Sequence, residues 1–296
     1  MEYKKLGNSD LSVSVIGFGC MSLQIKNNDG LIESAVDAGI NFFDTADIYQ
    51  NGENEIYLGK AVRHLRDKIL ISTKVGNKIK NDGNGFIWDA SKKHILSAVE
   101  KSLKRLQVSH IDLYQLHGGM IEDDIDEAIE AFEMLKQQGK IRYYGISSIR
   151  PNVIREYVKK SNIVSVMMQY SVLDRRPEEN IFKLLEQNNI GVLARGTVAK
   201  GFLIDKNPLG YLNYTEDDVR KAANAIEHLS NEKRSKAQTS IRFAIQEKII
   251  ACAVVGMAKE EQLTEASQTI NSPELTAKEI SLLKNILPAN FYEQHR

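Results

Sequence analysis

The feature that most constrains the fold is a repeat of short apolar runs, each followed by a segment with helical periodicity. Eight such runs are present, at Val15–Cys20, Asn41–Ala46, Ile69–Lys74, Ile111–His117, Ile141–Ser147, Val164–Gln169, Gly191–Arg195 and Ile249–Val255. Strands that alternate with helices form parallel sheets. Near-continuous apolar strands are expected where helices cover one face and a packed interior covers the other. Eight units in 296 residues predict an α/β fold, a closed (β/α)₈ TIM barrel, rather than an open sheet.

Three further segments predict elements outside this repeat. Tyr3–Ser14 alternates around a polar turn and predicts a small N-terminal β-hairpin. Thr215–Leu229 predicts an extra helix before the eighth strand. Thr276–Leu287 predicts a closing helix that begins with a capping box, formed by Thr276 and Glu279. The expected barrel therefore carries an N-terminal hairpin and extra helices.

Two loops interrupt the repeat at places where a lid would lie. Gly76–Asp89 is rich in Gly, Asn and Asp, and Gly196–Tyr214 contains Gly and Pro. Both follow strand ends, so we expect both at the C-terminal mouth of the barrel. The tail Pro288–Arg296 has no evident partner in the sequence. No linker or break in composition divides the chain, and a single domain over residues 1–296 is expected.

Composition argues against several classes of function. Lys plus Arg and Asp plus Glu both number 39, so general attraction to nucleic acid or to an anionic membrane is not expected. No apolar run is long enough to span a bilayer, and no secretory leader is expected. The two cysteines form no disulfide framework, so a reducing cytoplasm is the expected location. Cys20 and Cys252 lack CxxC spacing and are expected to be small buried residues on strands. The histidines show no HxxxH or HxH spacing, so no metal site is expected.

Four ionisable residues come from three consecutive strands. Asp44 is the first polar side chain after an apolar start, Tyr49 lies five residues later, and Lys74 and His117 end the next two runs. In a barrel, the C-terminal strand ends converge on one site. Taken singly, each has an ordinary interpretation: a strand cap, a loop aromatic, a solvated charge and a satisfied core or surface histidine. Together, at the same end of their strands, they predict a catalytic site.

The four side chains predict general-acid chemistry on a carbonyl group. A tyrosine hydroxyl with a pKa of about 10 is a poor acid at neutral pH, but a nearby lysine ammonium lowers that pKa. A carboxylate beside the lysine holds it in place, and a neutral histidine can orient a substrate oxygen by a hydrogen bond. Tyr49 would then protonate the carbonyl oxygen as negative charge builds there.

Reduction of a carbonyl also needs a source of reducing equivalents, and a nicotinamide cofactor is the natural one. The glycine-rich candidate is Gly17–Ser22, with glycines at positions 17 and 19. It lacks the third glycine of GxGxxG, and Asn27–Gly30 stands where that motif expects a helix, so it is a poor Rossmann fingerprint. Glycines at a crowded turn of the barrel mouth are the preferred interpretation.

In combination and in order, the motifs resemble the aldo-keto reductase family over nearly the whole chain. The segments that carry the resemblance are FFDTADIY, GENEIYLGKAV, ISTKVG, SLKRLQVSHIDLYQLH, GKIRYYGIS, QYSVL, RGTVAKGFL and VVGMAKEEQLTEA. The resemblance implies a (β/α)₈ barrel and reversible NAD(P)H-dependent reduction of aldehydes or ketones. It also implies a catalytic tetrad of Asp44, Tyr49, Lys74 and His117, the same four residues.

The resemblance further implies which residues contact the cofactor. Three of them would hold the nicotinamide carboxamide, a loop after the seventh strand would pack on the nicotinamide and pyrophosphate, and residues 256–262 would meet the adenosine. Arg195 stands where an aromatic residue often stacks, and Ser148 where many members carry asparagine. The matching residues are, in chain order, Cys20, Met21, Asp44, Ser147, Ser148, Gln169, Arg195, Gly196, Thr197, Val198, Ala199, Lys200, Lys206, Gly256, Met257, Ala258, Lys259 and Gln262.

Two departures bear on the choice between NADP and NAD. Ala258 stands where related members often carry an arginine, which would bind a 2′-phosphate through two hydrogen bonds, and Ala266 where they often carry asparagine. Lys259 is adjacent and could act as a point charge instead. NADP is the expected cofactor, and NAD is the alternative.

Two other functions remain open at this point. A cofactor-binding regulatory or scaffold subunit on the same fold would need a partner surface, such as an extension or a large apolar patch. A metal-dependent barrel hydrolase or lyase would need carboxylate and histidine ligands that the strand ends do not offer. For the reductase, a small-molecule carbonyl substrate and a monomer or weak homo-oligomer are expected.

Substrate choice is expected to depend on three segments: Gly76–Asp89, Gly118–Asp124 and the tail segment Phe291–Arg296. The first contains Trp88, the single tryptophan of the chain. Its side chain would form either an apolar wall of the substrate site or ordinary packing.

Overall fold

A computed structural model describes residues 1–23, 30–80 and 85–296. The segment Asn27–Gly30, which argued against a Rossmann helix, lies outside these ranges except for Gly30. The strands are β1 (Tyr3–Lys5), β2 (Ser12–Ser14), β3 (Ile16–Gly19), β4 (Phe42–Asp44), β5 (Leu70–Val75), β6 (Asn77–Ile79), β7 (Phe86–Trp88), β8 (Ile111–Leu116), β9 (Ile141–Ser147), β10 (Ser165–Gln169), β11 (Gly191–Arg195) and β12 (Ile250–Gly256).

Eight of these strands form a closed barrel of parallel strands, in the order β3-β4-β5-β8-β9-β10-β11-β12. The ring closes where β12 pairs with β3, with Ala253 opposite Ile16 and Gly256 opposite Gly19. All eight correspond to the predicted runs, and the bounds of β9 and β11 are the predicted ones. The predicted (β/α)₈ architecture is confirmed.

Helices surround the strands, because each presents an apolar stripe to the outer face of the sheet. The helices are α1 (Leu31–Asp37), α2 (Glu53–Val62), α3 (Lys92–Leu106), α4 (Ile125–Gln137), α5 (Pro151–Lys160), α6 (Ile181–Gln187), α7 (Glu216–Leu229), α8 (Lys236–Ile245), α9 (Glu260–Ser267) and α10 (Ala277–Asn285). α7 is the predicted extra helix. α10 begins with the predicted capping box, because Thr276 accepts from the Glu279 amide and the Glu279 side chain accepts from the Thr276 amide.

The predicted N-terminal hairpin is present and closes the N-terminal end of the barrel. β1 and β2 pair antiparallel, and Leu6, Leu11 and Val13 pack into the barrel interior. Gly7 makes this approach possible, because its φ is +53° and a Cβ there would lie 2.2 Å from the Val164 carbonyl oxygen. With one end blocked, any site must open at the other end, where the strands terminate.

The loop at Gly76–Asp89 is more ordered than its composition indicates. Its described residues include the strands β6 and β7, which pair antiparallel with Asn77 opposite Trp88 and Ile79 opposite Phe86. The prediction of an irregular loop was therefore wrong for these residues, because each strand has three residues, too few to show a period.

The tail also departs from the prediction, since it has several partners. Tyr292 is buried, and the guanidinium carbon of Arg176 lies 4.9 Å from the centroid of the Tyr292 ring. The Asn152 amide donates to the His295 carbonyl at 2.8 Å. The tail therefore crosses the mouth of the barrel between the loops that follow β9 and β10. Both cysteines are buried, but Cys20 lies in the 3₁₀ turn Cys20–Ser22 rather than on a strand.

Candidate active site

The period of two along a strand places polar side chains inside the barrel at its C-terminal end. Residues two apart point to the same side, so Asp44 shares the face of Phe42, a residue of the barrel interior. In the same way Lys74 follows Leu70 and Ser72 on β5, and Gln115 follows Leu113 on β8. Each strand therefore begins apolar on its inner face and becomes polar at the mouth.

A buried ion pair lies at the centre of this polar layer. Lys74 Nζ is 2.6 Å from Asp44 Oδ2 and donates to the Thr45 carbonyl at 2.6 Å, and the lysine side chain is only 1% exposed. Burial acts to lower the pKa of Lys74, but its interactions with Asp44 and Tyr49 outweigh burial and raise that pKa above the ordinary value. The ammonium is therefore charged in the folded protein.

Two side chains that the sequence analysis did not single out hold the carboxylate in place. Ser72 Oγ donates to Asp44 Oδ1 at 3.0 Å, and Gln115 Nε2 donates to the same oxygen at 3.3 Å. Gln115 Nε2 also donates to Ser72 Oγ at 2.7 Å. The period of two along a strand could have identified both residues. Ser72 precedes Lys74 by two residues and Gln115 precedes His117 by two, so each pair lies on one face of its strand.

Tyr49 is placed by a tight 3₁₀ turn, Tyr49–Gly52, which follows the short loop after β4. Gln50 and Asn51 have φ values of 49° and 56°, which are strained for residues other than glycine. Buried Asn54 fixes the turn, since it accepts from Thr45 Oγ1 at 2.7 Å and donates to the Cys20 carbonyl at 2.8 Å. Strain at this position indicates that the location of the Tyr49 ring matters.

The four side chains of the predicted tetrad meet at the mouth. Lys74 Nζ lies 5.1 Å from the centroid of the Tyr49 ring, and the His117 ring meets the same ring edge-on with centroids 6.0 Å apart. The phenol therefore lies between the ammonium and the imidazole. Tyr49 and His117 are half-buried and Asp44 and Lys74 are buried, so the two outer residues are the ones that a ligand can reach.

His117 is uncharged at neutral pH. Burial, and then the positive charges of Lys74 and Arg195, lower its pKa to about 3. Its Nδ1 is buried and has no hydrogen-bond partner among the described residues. A neutral imidazole can donate one hydrogen bond to a substrate oxygen without adding a second cation beside Lys74.

Trp88 forms one wall of the mouth. Its ring packs over two glycines, since a Cβ on Gly76 would lie 2.7 Å from the ring and one on Gly118 would lie 3.2 Å from it. The indole Nε1 donates to Asp123 Oδ1 at 2.8 Å, which ties the loop after β5 to the loop after β8. The packing interpretation of Trp88 is therefore confirmed, and contact of its ring with a substrate stays a prediction.

Apart from Asp44, the residues predicted to contact a cofactor lie on the rest of the rim, at or after the C-terminal ends of β9, β10, β11, β12 and β3. These five strands are consecutive around the ring. Cys20, Thr197, Ala199 and Met257 are buried. Met21 is 66% exposed, and Gly256, Lys259, Gln262, Lys200 and Lys206 are exposed.

The polar groups on this rim fit a nicotinamide nucleotide. The Gln169 amide donates to the Tyr211 hydroxyl at 3.2 Å, which leaves its carbonyl oxygen to accept from a carboxamide. Arg195 is half-buried with no carboxylate partner among the described residues, as expected for a group that meets an anion or a carbonyl oxygen. A Cβ on Gly256 would lie 2.8 Å from Ser22 Oγ, so backbone lines the rim where β12 meets the turn after β3.

Where the adenosine contact is predicted, Gln262 has a partner already. Its Oε1 accepts from the Ala258 amide at 2.8 Å, in the first turn of α9. Lys259 precedes that helix as its N-cap and is exposed. Of the residues predicted for this contact, Lys259 alone carries a positive charge.

A cavity of about 470 Å³ lies under the tail, among loops at the C-terminal end of the barrel. It contains none of the tetrad residues. Its lining comes from the loop after β9, the loops after β10 and β11, and the tail, namely Ile149, Arg150, Arg176, Leu212, Asn213, Phe291, Tyr292, Glu293, Gln294 and His295.

Within the described residues, no group of three or more His, Cys, Asp or Glu side chains is arranged to hold a metal ion. In the same part of the chain, no helix combines the length and the apolar character needed to cross a bilayer.

Comparison with known proteins gives a consistent result. A sequence model of the aldo/keto reductase family matches residues 15–288. A Bacillus subtilis (strain 168) protein described as the uncharacterized oxidoreductase YqkF is 48% identical over 100% of both chains. The holo form of aldo-keto reductase AKR11C1 from Bacillus halodurans superposes with a TM-score of 0.93 and 45% identity, covering 100% of this chain and 99% of that one. Glycerol dehydrogenase AKR11B4 from Gluconobacter oxydans shares the fold at 23% identity, with a TM-score of 0.85 over 96% and 94% of the two chains.

Proposed function

The chain belongs to the aldo/keto reductase family, and on that premise we propose that it reduces an aldehyde or ketone to the alcohol with NADPH, using Tyr49 as the general acid. The observation that carries the proposal is the buried Lys74–Asp44 ion pair beneath the Tyr49 ring, 2.6 Å between Nζ and Oδ2. As a family member the chain is an oxidoreductase of small-molecule carbonyl compounds. The regulatory or scaffold alternative has no support from the family match or the relatives.

Each side chain has one task in the proposed reaction. Neutral His117 donates a hydrogen bond to the carbonyl oxygen and orients the substrate. A reduced nicotinamide, held on the rim by Ser147, Ser148 and Gln169, would supply the hydride for the carbonyl carbon. As the electron pair of the C=O bond moves onto oxygen, Tyr49 donates its proton to that oxygen. Lys74 stabilises the phenolate that remains, and Asp44 keeps the ammonium directed toward it.

On the cofactor side, Ser147, Ser148 and Gln169 would hold the carboxamide, and Arg195 to Lys206 would cover the nicotinamide and pyrophosphate. Arg195 sits at the end of β11 and is close enough to His117 to lower its pKa. A cation there favours the neutral reduced nicotinamide over the positively charged oxidised ring. It also favours the negative charge that develops on the carbonyl oxygen.

NADP is proposed rather than NAD because Lys259 is exposed beside the expected ribose site. The lysine would act as a point charge for the 2′-phosphate, which is weaker than a two-pronged arginine contact. A cytoplasmic location and a monomeric or weakly self-associating state are proposed with it.

The test is replacement of Tyr49 by phenylalanine, which removes one hydroxyl. Turnover of a small aromatic aldehyde should fall by about 10²–10⁴-fold, the usual contribution of a general acid. The dissociation constant of NADPH, followed by fluorescence, should change by less than about twofold. The same titration with NADH should give weaker binding, and Lys259→Ala should narrow that difference.

Tyr143→Phe is the matched control, since it removes a hydroxyl at the opposite end of the barrel, where the Asp10 amide donates to it at 3.4 Å. This variant should keep full turnover. Wild-type turnover by the Tyr49 variant would remove that residue from the acid role. Tighter binding of NADH than NADPH would overturn the cofactor assignment alone.

A further inference from the structure

Arg150 is a candidate for substrate recognition that neither the proposed reaction nor the cofactor uses. It directly follows Ser148–Ile149 at the end of β9 and lines the cavity under the tail. Among the described arginines, Arg150 and Arg195 are the two that are half-buried and have no carboxylate within ion-pair distance. A half-buried guanidinium without a carboxylate partner has lost part of its hydration and keeps an uncompensated charge, which points to an absent anion.

The guanidinium of Arg150 is held in one orientation. One of its terminal nitrogens, NH1, donates to the Gly119 carbonyl, in the segment that follows His117. The backbone amide of Arg150 donates to Ser148 Oγ at 3.2 Å. With NH1 engaged, the remaining donors are Nε and the second terminal nitrogen. These two form the side-on fork that binds a carboxylate through two parallel hydrogen bonds.

The other charges around the cavity do not compete for this fork. Arg176 is already neutralised, because its Nε and NH2 donate to the two oxygens of Asp174 at 2.8 and 2.7 Å. Glu293 is the one carboxylate among the lining residues, and it is exposed. Apart from exposed Glu293, the unpaired charge among the lining residues is therefore that of Arg150. Helix α5 also begins at Pro151, so the positive end of its dipole lies at the same place.

We propose that the cavity under the tail holds the carboxylate of the substrate on Arg150, so that the preferred substrates are oxo acids whose aldehyde or ketone group reaches Tyr49 and His117. The inference rests on the proposed function, because it assigns a substrate class to the same mouth. The carboxylate binds without covalent change. The remaining lining, with Ile149, Leu212 and Phe291, packs on the carbon chain between the two ends.

The experiment compares the semialdehydes of succinate, glutarate and adipate with their methyl esters, which keep the carbonyl and lose the charge. For at least one chain length, kcat/KM for the acid should exceed that for its ester by about tenfold or more, the size expected for a charge-assisted pair. Arg150→Met should remove this preference by raising KM for the acid. It should change kcat/KM for the ester, and the dissociation constant of NADPH, by less than about twofold.

Arg155→Met is the matched control, since Arg155 lies on the same helix, is exposed and has no ion pair among the described residues. Arg155→Met should leave kcat/KM unchanged for both the acid and its ester. Arg150→Lys keeps the charge but not the fork, and should restore only part of the preference. If the Arg150 variants fail to fold, the comparison of acids with esters in the unmodified chain decides.

The two levels of the hypothesis fail differently. No reduction of acids or esters would overturn the proposed function. The carboxylate site would be overturned if the esters were reduced and no acid were preferred. It would also be overturned if Arg150→Met did not change the preference for the acid. In both cases the proposed reductase activity would be retained. A loss of NADPH binding in Arg150→Met would reassign this arginine to the cofactor.

Discussion

At the scale of single residues, the carboxyl group of Asp47 is expected to make stability depend on pH. Asp47 lies in the loop between Asp44 and Tyr49, and its amide donates to the Lys74 carbonyl at 3.4 Å. Its Oδ1 is buried with no partner among the described residues. Burial, and then the nearby charge of Glu55, raise the pKa of Asp47 to about 7, although Arg105, the Ile48 amide and Lys74 act in the opposite direction.

The sign of the pH dependence follows from that pKa. An unfolded aspartate loses its proton near pH 3.9, so between about pH 4 and 7 the folded state retains a proton that the unfolded state has lost. The free energy of unfolding therefore decreases as pH rises through this interval, and the penalty persists above it. Asp47→Asn should become more stable relative to the parent between pH 4.5 and 8, by more than about 1.4 kcal/mol, the value of one pKa unit.

Urea denaturation at the two pH values measures this difference. Asp205→Asn is the control, since its carboxylate is exposed and its ion pair with Lys236 is at the surface. A difference between Asp47→Asn and the parent that does not change with pH would show that this carboxyl is ionised normally.

The sequence could predict the tetrad, because Asp44, Lys74 and His117 end apolar strands and chemistry collects at such ends. It could not predict Arg150, whose neighbours Ile149 and Pro151 look like an ordinary helix start. What distinguishes Arg150 is the lack of a carboxylate partner among the described residues, and such partners become visible only when distant segments have been placed together.

At the scale of elements, the packing of α2 on α3 depends on one glycine. A Cβ on Gly59, in the middle of α2, would lie 2.2 Å from the Leu106 carbonyl oxygen at the end of α3. Glycine within a helix usually costs about 1 kcal/mol relative to alanine. Here the close approach outweighs that cost, since the atom that a methyl group would meet is backbone and cannot rotate away.

Gly59→Ala should therefore lower the free energy of unfolding by about 1–3 kcal/mol, the usual cost of overpacking, although alanine is the better helix former. Gly210→Ala makes the same change where the nearest atom, the Tyr214 carbonyl oxygen, is 3.4 Å from the added Cβ. That variant should lie within about 0.5 kcal/mol of the parent. Urea titrations compare them, and a stabilised Gly59 variant would contradict the packing argument.

The sequence predicted long elements better than short ones. Helices such as α3 and α4 show several turns of apolar periodicity, whereas β6 and β7 contain three residues each. A composition rich in Gly, Asn and Asp is common to loops and to hairpin turns. The pairing of Ile79 with Phe86 could therefore not be told apart from irregular structure.

At the scale of the whole molecule, the tail is the segment that the sequence could least place. Its apolar residues are too few to show a pattern, yet Tyr292 is 4% exposed and Asn290 is 3% exposed. Asn290 accepts from the Arg175 amide at 2.9 Å and donates to the Leu173 carbonyl at 3.2 Å. The eight strands in the sequence were enough to predict a barrel. The position of the tail depends on contacts with loops that only the closed barrel brings together.

Removal of Phe291–Arg296 tests this placement. The truncated chain should show a raised KM for carbonyl substrates, because one side of the cavity is lost, with little change in the dissociation constant of NADPH. Phe291→Ala is the matched single change, since that ring is 55% exposed and its loss should leave the free energy of unfolding within about 0.5 kcal/mol. A truncation that leaves KM unchanged for every substrate would exclude the tail from the site.

The seam between β3 and β12 has a consequence for synthesis. Strand β3 (Ile16–Gly19) leaves the ribosome early. Strand β12 (Ile250–Gly256), which pairs with it to close the barrel, emerges near the end of translation. Until then the nascent sheet is an open ribbon whose two outer strands, β3 and β11, present unpaired amides and carbonyls. Such edges recruit strands from other chains, so slow elongation or a premature stop before Ile250 would leave a chain prone to aggregate and dependent on chaperones.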